Sequence, residues 1–462
     1  MKKLDYPLFG VVLLLAFVLY FAQTRDFGLM FDGLTYSTLA KNILRTGDWK
    51  VLHYDLRQYP DAYYHPPLAM WVQALIYKIF GFSEPISRIF PATCALLTTA
   101  VLFLFTRVRF GLTAAFWAAI TLISSTRFIK WGTNFYLDGI AGFFNFTSFI
   151  IWMWVLTEIP QKKSRDSIIA LFAGVFLGLG FMTKGVVVFP ILVAIIVSLL
   201  LFFSLRNLKI FGLFLIGSSL PILAWIEFAE GYHYLQMYFK TSAFAHSDVL
   251  NFRPWKNIRD VWIPWWPIFT ISLITALRKF IKREMIIPAL GAAALAMPAA
   301  LTFSMYYYEH YLTPFFPFAS VLVGLQISLW IKKDYVAQYF KYTFGTAVTL
   351  AVILATIAPN VNKQKDIPST LWIRELKTLP IAEQTKIHRL VFTEKSAEIW
   401  LNLAAIQART DWQSIGMFGL DEAATKNTIL VTKEGEVPHS SWKKIPYLYV
   451  EGNEFYTSQD GL

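Results

Sequence analysis

The sequence predicts a polytopic α-helical membrane protein with a small extracytoplasmic α/β domain at its carboxyl terminus. Composition is the first reason: 56% of the 462 residues are hydrophobic and 16% are charged, whereas soluble domains are about 45–50% apolar and about 25% charged. The mean hydropathy of +0.48 agrees with this. The second reason is a series of long apolar segments, and the third is a regular alternation of basic loops between them.

The apolar segments predict the spans. Crossing the hydrocarbon takes about 20 mostly apolar residues, or about 17 at the short end. That length predicts about eleven spans, and about 11–13 helices if short or broken ones lie at the joins. The spans are Pro7–Gln23, Ile89–Arg107, Leu112–Phe128, Leu137–Thr157, Ser167–Met182, Val186–Phe203, Ile210–Phe228, Trp262–Leu277, Met285–Phe303, Tyr311–Ile331 and Tyr342–Ala358.

The basic loops predict the orientation, because Lys and Arg collect on the cytoplasmic side. With Lys2 and Lys3 inside, every second loop is basic. The first loop, 24–88, and the tail from residue 359 are then outside the cytoplasm. The formal net charge of +12 is explained by cytoplasmic loops and anionic headgroups, so no nucleic-acid partner is expected. Cys94 is the single cysteine, which excludes an intrachain disulfide.

Two domains are predicted, with a membrane domain at 1–358 and a soluble α/β domain at 359–462. In the first outer loop, Leu34–Arg45 and Leu68–Phe80 have apolar residues at helical spacing and are expected to lie in the interface. The tail mixes charged and apolar residues without a spanning run. Its predicted elements are strands at Arg389–Thr393 and Thr428–Thr432, an amphipathic helix at Ser396–Arg409, and a strand or hairpin at Tyr447–Tyr456.

Polar residues in the outer loops are the candidates for chemistry. Asp32 follows the first span, where a positioned carboxylate takes a proton from a hydroxyl, although an aspartate there also caps a helix. His65 precedes Pro66-Pro67 and is suited to binding a phosphate oxygen or carrying a proton. A histidine in a tyrosine-rich loop is more often a hydrogen-bonded surface residue.

Charged residues at the span ends form a second group. Lys184 lies between two apolar segments with almost no loop, which makes it a candidate counter-ion for a lipid phosphate. The alternative is that its long side chain snorkels to the headgroups. Arg127 and Asp138 are predicted on the same face, where either residue also fits a cap or a snorkelling role.

A third group precedes the tenth span, at Tyr306-Tyr307-Tyr308-Glu309-His310-Tyr311. Tyrosines are common anchors at the membrane interface. Glu309 and His310 are harder to explain in that way. The sequence contains no P-loop, GxGxxG, HExxH or CxxC motif, which leaves no sign of the corresponding nucleotide, zinc or redox chemistry.

Several motifs together resemble the polytopic glycosyltransferases of the GT-C fold, in the group with protein O-mannosyltransferases and the lipid A aminoarabinose transferase (glycosyltransferase family 39). The resemblance covers roughly residues 1–330. The matching segments are FDGLTYSTLAKNILRTGDW, YYHPPLAMWVQALIYKIFG, SRIFPATCALL, NFYLDG, GLGFMTKG and YYYEHYLTPFFPFASVLVG.

The resemblance implies transfer of a sugar from a polyprenyl-phosphate donor to a lipid, glycan or protein, with inversion at the sugar carbon. Asp32 matches the catalytic aspartate of the first loop, and Lys184 matches a lysine that binds the carrier phosphate. His65, Arg127 and Tyr64 are assigned to the same phosphate. Asp138, Tyr307, Tyr308, Glu309 and His310 match positions that face the substrates.

This chain departs from the group at two positions. Relatives usually have Asp-Glu where this chain has Asp32-Gly33, which indicates an unusual acceptor. Tyr64 replaces the acidic ligand of a metal found in some relatives, so no metal or other cofactor is expected to be required. The expected location is the plasma membrane (the inner membrane of a bacterium), with the active site facing the periplasm or exterior.

Two other classes of function were considered. A secondary transporter or a lipid-linked sugar flippase would use Lys184 and Asp138 as intramembrane charges, but it predicts related halves and helices broken near the bilayer centre, which the sequence does not show. A membrane-anchored binding protein acting through its tail leaves the polar first loop unexplained.

Overall fold

The structure is a computed structural model that describes residues 5–22, 31–53, 65–157, 163–229, 231–241, 250–304, 307–331, 389–392, 413–415, 428–433, 438, 440–450 and 453–458. The chain divides into two compact units. The first unit comprises Met1–Asp26, Tyr63–Ala69 and Arg88–Asn362, and the second comprises Phe27–Ala62, Met70–Ser87 and Lys363–Leu462. The predicted change of domain at residue 358 stays a prediction.

Helices make up most of the described chain. In order they are α1 (Asp5–Ala22), α2 (Phe31–Thr46), α3 (Leu68–Phe80), α4 (Glu84–Ser87), α5 (Ile89–Phe110), α6 (Leu112–Ile123), α7 (Thr126–Thr133), α8 (Leu137–Thr157), α9 (Lys163–Lys184), α10 (Phe189–Leu201), α11 (Leu205–Ala229), α12 (Gly231–Thr241), α13 (Arg253–Val261), α14 (Trp265–Ile281), α15 (Ile286–Thr302) and α16 (Phe315–Trp330). Two 3₁₀ turns, Gly185–Val188 and Glu309–Leu312, complete the set.

Fewer of these helices meet a strict spanning criterion than the sequence predicted. By length and composition, four described helical segments can cross a bilayer, or six if each of two bent pairs is one span. The bent pairs are α6 with α7, at 66°, and α13 with α14, at 118°. Apolar helices α1, α15 and α16 fall below the length criterion. The predicted span Tyr342–Ala358 lies outside the described residues.

The span predicted at Leu112–Phe128 is wrong at its carboxyl end. Helix α6 stops at Ile123, and Ser125 adopts an extended conformation (φ −75°, ψ 100°) before α7 begins. Serine hydroxyls compete for backbone groups and so favour helix ends. Here Ser124 Oγ donates a hydrogen bond to the carbonyl oxygen of Thr121, at 3.2 Å. Arg127 therefore belongs to a separate short helix.

Helix α9 runs antiparallel to α8. Ser148 Oγ on α8 donates to the carbonyl oxygen of Ala173 on α9, at 2.7 Å. Lys184, at the end of α9, meets Asp138, at the start of α8. We call the end of the first unit that carries this pair the site end.

Helix α10 leaves the site end alongside α8 and in the same direction. Asn145 Nδ2 donates to the carbonyl oxygen of Val187, at 3.4 Å, and farther along the indole Nε1–H of Trp152 donates to Ser198 Oγ, at 2.8 Å. The apolar run Arg165–Leu201 therefore reverses direction after Lys184, as the two separately predicted spans require. Gly185 makes the reversal with φ +57°, a conformation that glycine adopts without strain.

Helices α9 and α11 pack through glycines. A Cβ placed on Gly174 would overlap the carbonyl oxygen of Phe214, and one placed on Gly217 would overlap that of Leu171. The contacts 166/206, 174/214 and 178/218 follow the same order along both helices, which shows that α9 and α11 run parallel. The close approach brings backbone to backbone, which requires residues without side chains.

The second unit contains the two helices predicted in the first outer loop. Leu68–Phe80 is helical as predicted, and Leu34–Arg45 lies within α2. Gly47 (φ +73°) ends α2, and Trp71 Nε1 donates to the carbonyl oxygen of Trp49, at 2.8 Å. The loop is therefore tied to α3.

The tail contributes a five-stranded mixed sheet. Its strands are β1 (Arg389–Phe392), β2 (Gln413–Ile415), β3 (Thr428–Lys433), β4 (Trp442–Val450) and β5 (Asn453–Ser458), in the order β2-β1-β3-β5-β4. Strand β1 is parallel to β2 and β3, whereas β5 is antiparallel to β3 and β4. The predicted strands and hairpin are present, β2 was not predicted, and the helix predicted at Ser396–Arg409 lies outside the described residues.

Candidate active site

A buried ion pair forms the centre of the site end. Lys184 Nζ lies 2.5 Å from Asp138 Oδ2, and the two side chains are only 7% and 1% exposed. Lys184 Nζ also lies 4.4 Å from the centroid of the Tyr311 ring, which favours the cation. The other oxygen of Asp138, Oδ1, is buried and accepts no hydrogen bond from another described residue. Lys184 therefore does not snorkel away from the protein.

Local sequence explains how the two charges meet. Asp138 is the second residue of α8, where a carboxylate is favoured by the helix dipole. Lys184 leaves helical geometry (φ −144°, ψ 22°) just before Gly185 reverses the chain. The side chain of Asn145 donates a hydrogen bond to the carbonyl oxygen of Val187, just after the reversal. It also lies so close to Gly180 that a Cβ at that position would overlap Asn145 Oδ1.

His310 lies on the other side of Asp138. Its Nε2 is 3.7 Å from Asp138 Oδ2, at the edge of ion-pair distance, and the side chain is 10% exposed. Aromatic rings surround the imidazole: Tyr136 and Tyr311 at 4.7 Å, Trp131 at 5.6 Å and Tyr308 at 5.7 Å between ring centroids. The Tyr308 ring is nearly parallel to the His310 ring, at 14°. Tyr308 is 57% exposed, so the group of aromatic rings around His310 extends to the protein surface.

His65 belongs to the same charged environment. Its Nδ1 atom is buried. Burial lowers the pKa of His65 to about 3, and the positive charges of Lys184 and His310 act in the same direction. The imidazole is therefore neutral at physiological pH when no ligand is present. A neutral imidazole can still donate or accept one hydrogen bond at each nitrogen.

Arg127 and Glu309 form an ion pair at the edge of the site. Their side chains are 28% and 41% exposed. The pair connects α7 to the 3₁₀ turn that carries His310. Arg127 was assigned to the donor phosphate and Glu309 to a substrate. Both assignments stay predictions, and the two side chains contact each other.

Tyr307 lies in the same turn region and is held by α13. Asn257 Nδ2 donates to its hydroxyl, at 2.7 Å. Burial raises the pKa of Tyr307 to about 12; the hydrogen bond from Asn257 opposes that effect, and the charge of Glu309 adds to it. The phenol is therefore protonated under all physiological conditions.

Two predicted residues, Asp32 and Tyr64, lie outside the part of the first unit described above. Asp32 is in the first turn of α2, in the second unit, so it is a residue of the helix and not its cap. Tyr64 lies outside the described residues. No group of three His, Cys, Asp or Glu side chains suited to a metal occurs among the described residues, and the expectation that no metal is needed stays a prediction.

The sequence analysis missed four residues that shape the site. Trp131 and Tyr136 flank His310, Asn145 fixes the reversal after Lys184, and Asn257 holds Tyr307. Trp131 and Tyr136 had a signal, because they bracket the turn before Asp138. Asn145 had one too, since a buried amide in an apolar span needs a partner. Asn257 is one polar residue in a polar segment, so its sequence context gave no signal.

Comparison with known proteins identifies the class of fold. The crystal structure of ArnT from Cupriavidus metallidurans bound to undecaprenyl phosphate superposes with a TM-score of 0.71 at 14% identity, over 99% of this chain and 98% of that one. The chain has the GT-C fold of the polytopic membrane glycosyltransferases, and the resemblance found in the sequence is confirmed.

Sequence comparisons find partial matches to transferases of the kind that the resemblance named. The family model for dolichyl-phosphate-mannose-protein mannosyltransferase matches residues 64–225. Two undecaprenyl phosphate-alpha-4-amino-4-deoxy-L-arabinose arabinosyl transferases of Proteus mirabilis also match. Transferase 1 is 31% identical over 173 residues, covering 36% of this chain and 30% of the relative, and transferase 2 is 25% identical over 290 residues, covering 59% and 51%. The chain thus spans about half, or less, of these relatives' lengths.

Proposed function

We propose that this protein transfers a sugar from a polyprenyl-phosphate donor to an acceptor hydroxyl at the membrane. The observation that carries the proposal is the buried Lys184, held by Asp138 with His65 and His310 beside it. A buried cation with histidines around it suits a phosphate, because both supply hydrogen bonds to its oxygens. The structural relative with the same fold was crystallised with undecaprenyl phosphate.

In the proposed reaction, the acceptor oxygen attacks the anomeric carbon of the sugar while the bond from that carbon to the phosphate oxygen breaks. The polyprenyl phosphate leaves with the bonding electrons, and the configuration is inverted. Lys184 and His65 stabilise the charge that develops on the leaving phosphate, which is commonly the largest catalytic contribution. Asp32 takes the proton of the acceptor hydroxyl.

The remaining site residues are assigned to the substrates. Asp138 Oδ1 has room in its hydrogen-bonding capacity for a sugar hydroxyl, since it accepts none from another described residue. The exposed ring of Tyr308 gives an apolar face for stacking, and Tyr307 remains protonated and able to donate. Arg127 binds the phosphate after releasing its ion-pair partner, Glu309. No metal is required in this scheme.

The acceptor is a lipid, a glycan or a protein, and we propose that it is met on the extracytoplasmic face of the plasma membrane. The basic loops support this orientation. Gly33, in place of the usual glutamate, supports an acceptor different from those of the relatives.

The test is sugar transfer from radiolabelled polyprenyl-phosphate sugars by purified protein in lipid, with native membrane extract as acceptor. Asp32→Asn and Lys184→Met are each expected to lower turnover by about a hundredfold or more. Lys209→Gln is the matched control for loss of a positive charge, because Lys209 is exposed at the end of the bundle opposite the site. Full turnover in both site variants would contradict the proposal.

The same preparation distinguishes a transporter from a transferase. Protein-dependent movement of the intact lipid-linked sugar across the bilayer, without cleavage of the bond between sugar and phosphate, would favour the transporter. Transfer to acceptor, or slow release of free sugar to water, would favour the transferase.

A further inference from the structure

Helix α13 presents a basic face that the proposed reaction does not use. Exposed side chains recur along one side of the helix at Arg253, Lys256, Arg259 and Asp260. Asp260 pairs with Arg259, at 2.6 Å between Oδ1 and Nε. No other ion pair involves Arg253 or Lys256 among the described residues. The three basic residues and one acidic residue leave this face with a charge of +2.

The opposite side of α13 is fixed to the protein at the site end. Pro254, Ile258 and the following Trp262 are buried. The indole Nε1–H of Trp255 donates to Thr302 Oγ1, at 2.8 Å, and Asn257 donates to Tyr307. The basic face is therefore held in a fixed orientation.

The geometry of the chain around α13 is that of a helix at a membrane surface. Helix α13 meets the apolar helix α14 at 118°, so it lies close to the bilayer plane if α14 crosses the bilayer. Large apolar residues flank the basic face at both ends: Phe252 is 63% exposed and Ile263 is 69% exposed. Basic residues between exposed apolar ones are typical of a helix lying among lipid headgroups.

The stability of the helix explains Arg259, which is in the last turn, but it does not explain Arg253. Arg253 is in the first turn of α13, where the partial positive charge of the helix dipole disfavours a cation. The first turn contains no acidic residue. A source of negative charge outside the protein is the simplest compensation.

We propose that the α13 face, Arg253, Lys256 and Arg259, binds the phosphate headgroups of anionic membrane phospholipids next to the active site. The charge of the face complements the headgroup, and the flanking apolar residues insert among the acyl chains. The proposal concerns lipid binding, so it stands or fails separately from the transferase activity.

The test uses the full-length protein in phosphatidylcholine vesicles that contain a trace of photoactivatable phosphatidylglycerol. Labelled peptides are mapped after illumination. The variant is Arg253→Gln with Lys256→Gln, which leaves the Arg259–Asp260 pair intact. The matched control is Lys209→Gln with Lys282→Gln, which removes two exposed charges at the opposite end of the bundle.

We expect label in the segment 250–264 of the wild type and of the control. In the double variant Arg253→Gln with Lys256→Gln, labelling of this segment should fall about tenfold. A loss of that size is no larger than two basic residues near an anionic headgroup contribute to binding. Arg253→Lys, which keeps the charge, should retain the label. Added phosphatidylglycerol should compete and phosphatidylcholine should not, and high salt should weaken labelling.

Three results would overturn the proposal: equal labelling in the variant and the control, equal competition by both lipids, or no label in segment 250–264 of the wild type. The comparison requires that the double variant unfold at the same temperature as the wild type. If the double variant does not fold, Lys256→Gln alone is compared with Lys282→Gln alone. Loss of sugar transfer without a change in labelling concerns only the reaction.

Discussion

At the scale of single residues, the pair of Lys184 and Asp138 has both a structural and a chemical part to play. Two buried opposite charges compensate each other, and removing one leaves the other buried without its partner. A loss of activity in a single variant is therefore ambiguous by itself. Removing both charges separates the two roles.

Lys184→Met is expected to lower the free energy of unfolding by about 3–5 kcal/mol, because Asp138 is left as an uncompensated buried charge. The double variant Lys184→Met with Asp138→Leu should recover most of this loss, since well-packed apolar pairs replace buried ion pairs at little cost. Thermal unfolding in detergent measures both. A double variant less stable than either single one would contradict the compensation, and a stable but inactive one would isolate the chemical role.

His65 predicts a pH dependence of stability. The pKa is about 3 in the folded protein and 6.5 as the ordinary value. Between these values the unfolded chain binds a proton that the folded site excludes. The free energy of unfolding is therefore highest above about pH 6.5 and decreases as the pH is lowered towards 3. At pH 5 the loss is about 2 kcal/mol.

The measurement for His65 is thermal unfolding at pH 7.5 and pH 5 for the wild type and for His65→Asn, which has no titrating group. The decrease between the two pH values should be smaller in the variant. His53→Asn is the control, because His53 belongs to the other unit and is held by Asp48, at 2.9 Å. Equal decreases in the wild type and His65→Asn would refute the low pKa.

The sequence predicted which residues would form the site better than it predicted their partners. Lys184, Asp138 and His310 were each marked by polarity in apolar surroundings, and they meet. Their contacts were not predictable, because Asp138 and Lys184 are 46 residues apart and meet only through the antiparallel packing of α8 and α9. Arg127 and Glu309 were assigned to different substrates for the same reason.

At the scale of elements, the close packing of α9 on α11 makes a prediction with an internal control. Gly174→Ala and Gly217→Ala should each destabilise the protein by about 1–3 kcal/mol or more, since the added methyl group overlaps backbone that has no rotamer to change. Gly212→Ala, on the same helix α11 with nothing within 4 Å, should be neutral or stabilising by up to about 1 kcal/mol.

Thermal unfolding of the three alanine variants tests this packing. If Gly212→Ala were as destabilising as the other two, a general effect of the added methyl group and not the α9–α11 contact would be responsible. If all three were neutral, the two helices would not approach as closely as described.

Element boundaries were predictable where local sequence decides them. Helix α3 was predicted at its observed bounds because Pro66-Pro67 precedes it, and the sheet strands β1 and β3 followed from short apolar runs. The bend between α6 and α7 was missed because apolar residues continue across Ser124-Ser125, and hydropathy does not register a change of direction. Strand β2 has only three residues and a weak pattern.

At the scale of the whole molecule, the single cysteine makes the orientation in the membrane measurable. Cys94 is buried, so the unmodified protein should not react with a membrane-impermeant maleimide. Lys256→Cys, at the site end, should be labelled in intact cells. Lys282→Cys, at the opposite end, should be labelled only after permeabilisation. The reverse pattern would place the site in the cytoplasm.

One consequence of the buried pair concerns turnover. A lone buried lysine would hold a phosphate strongly, and after transfer the spent carrier has a phosphomonoester with more negative charge than the donor. Because Asp138 already neutralises Lys184, the empty cluster has no formal net charge when its histidines are neutral. We expect Asp138 to shorten the time for which the used carrier stays bound, so that the same carboxylate that holds the lysine also lets the product leave.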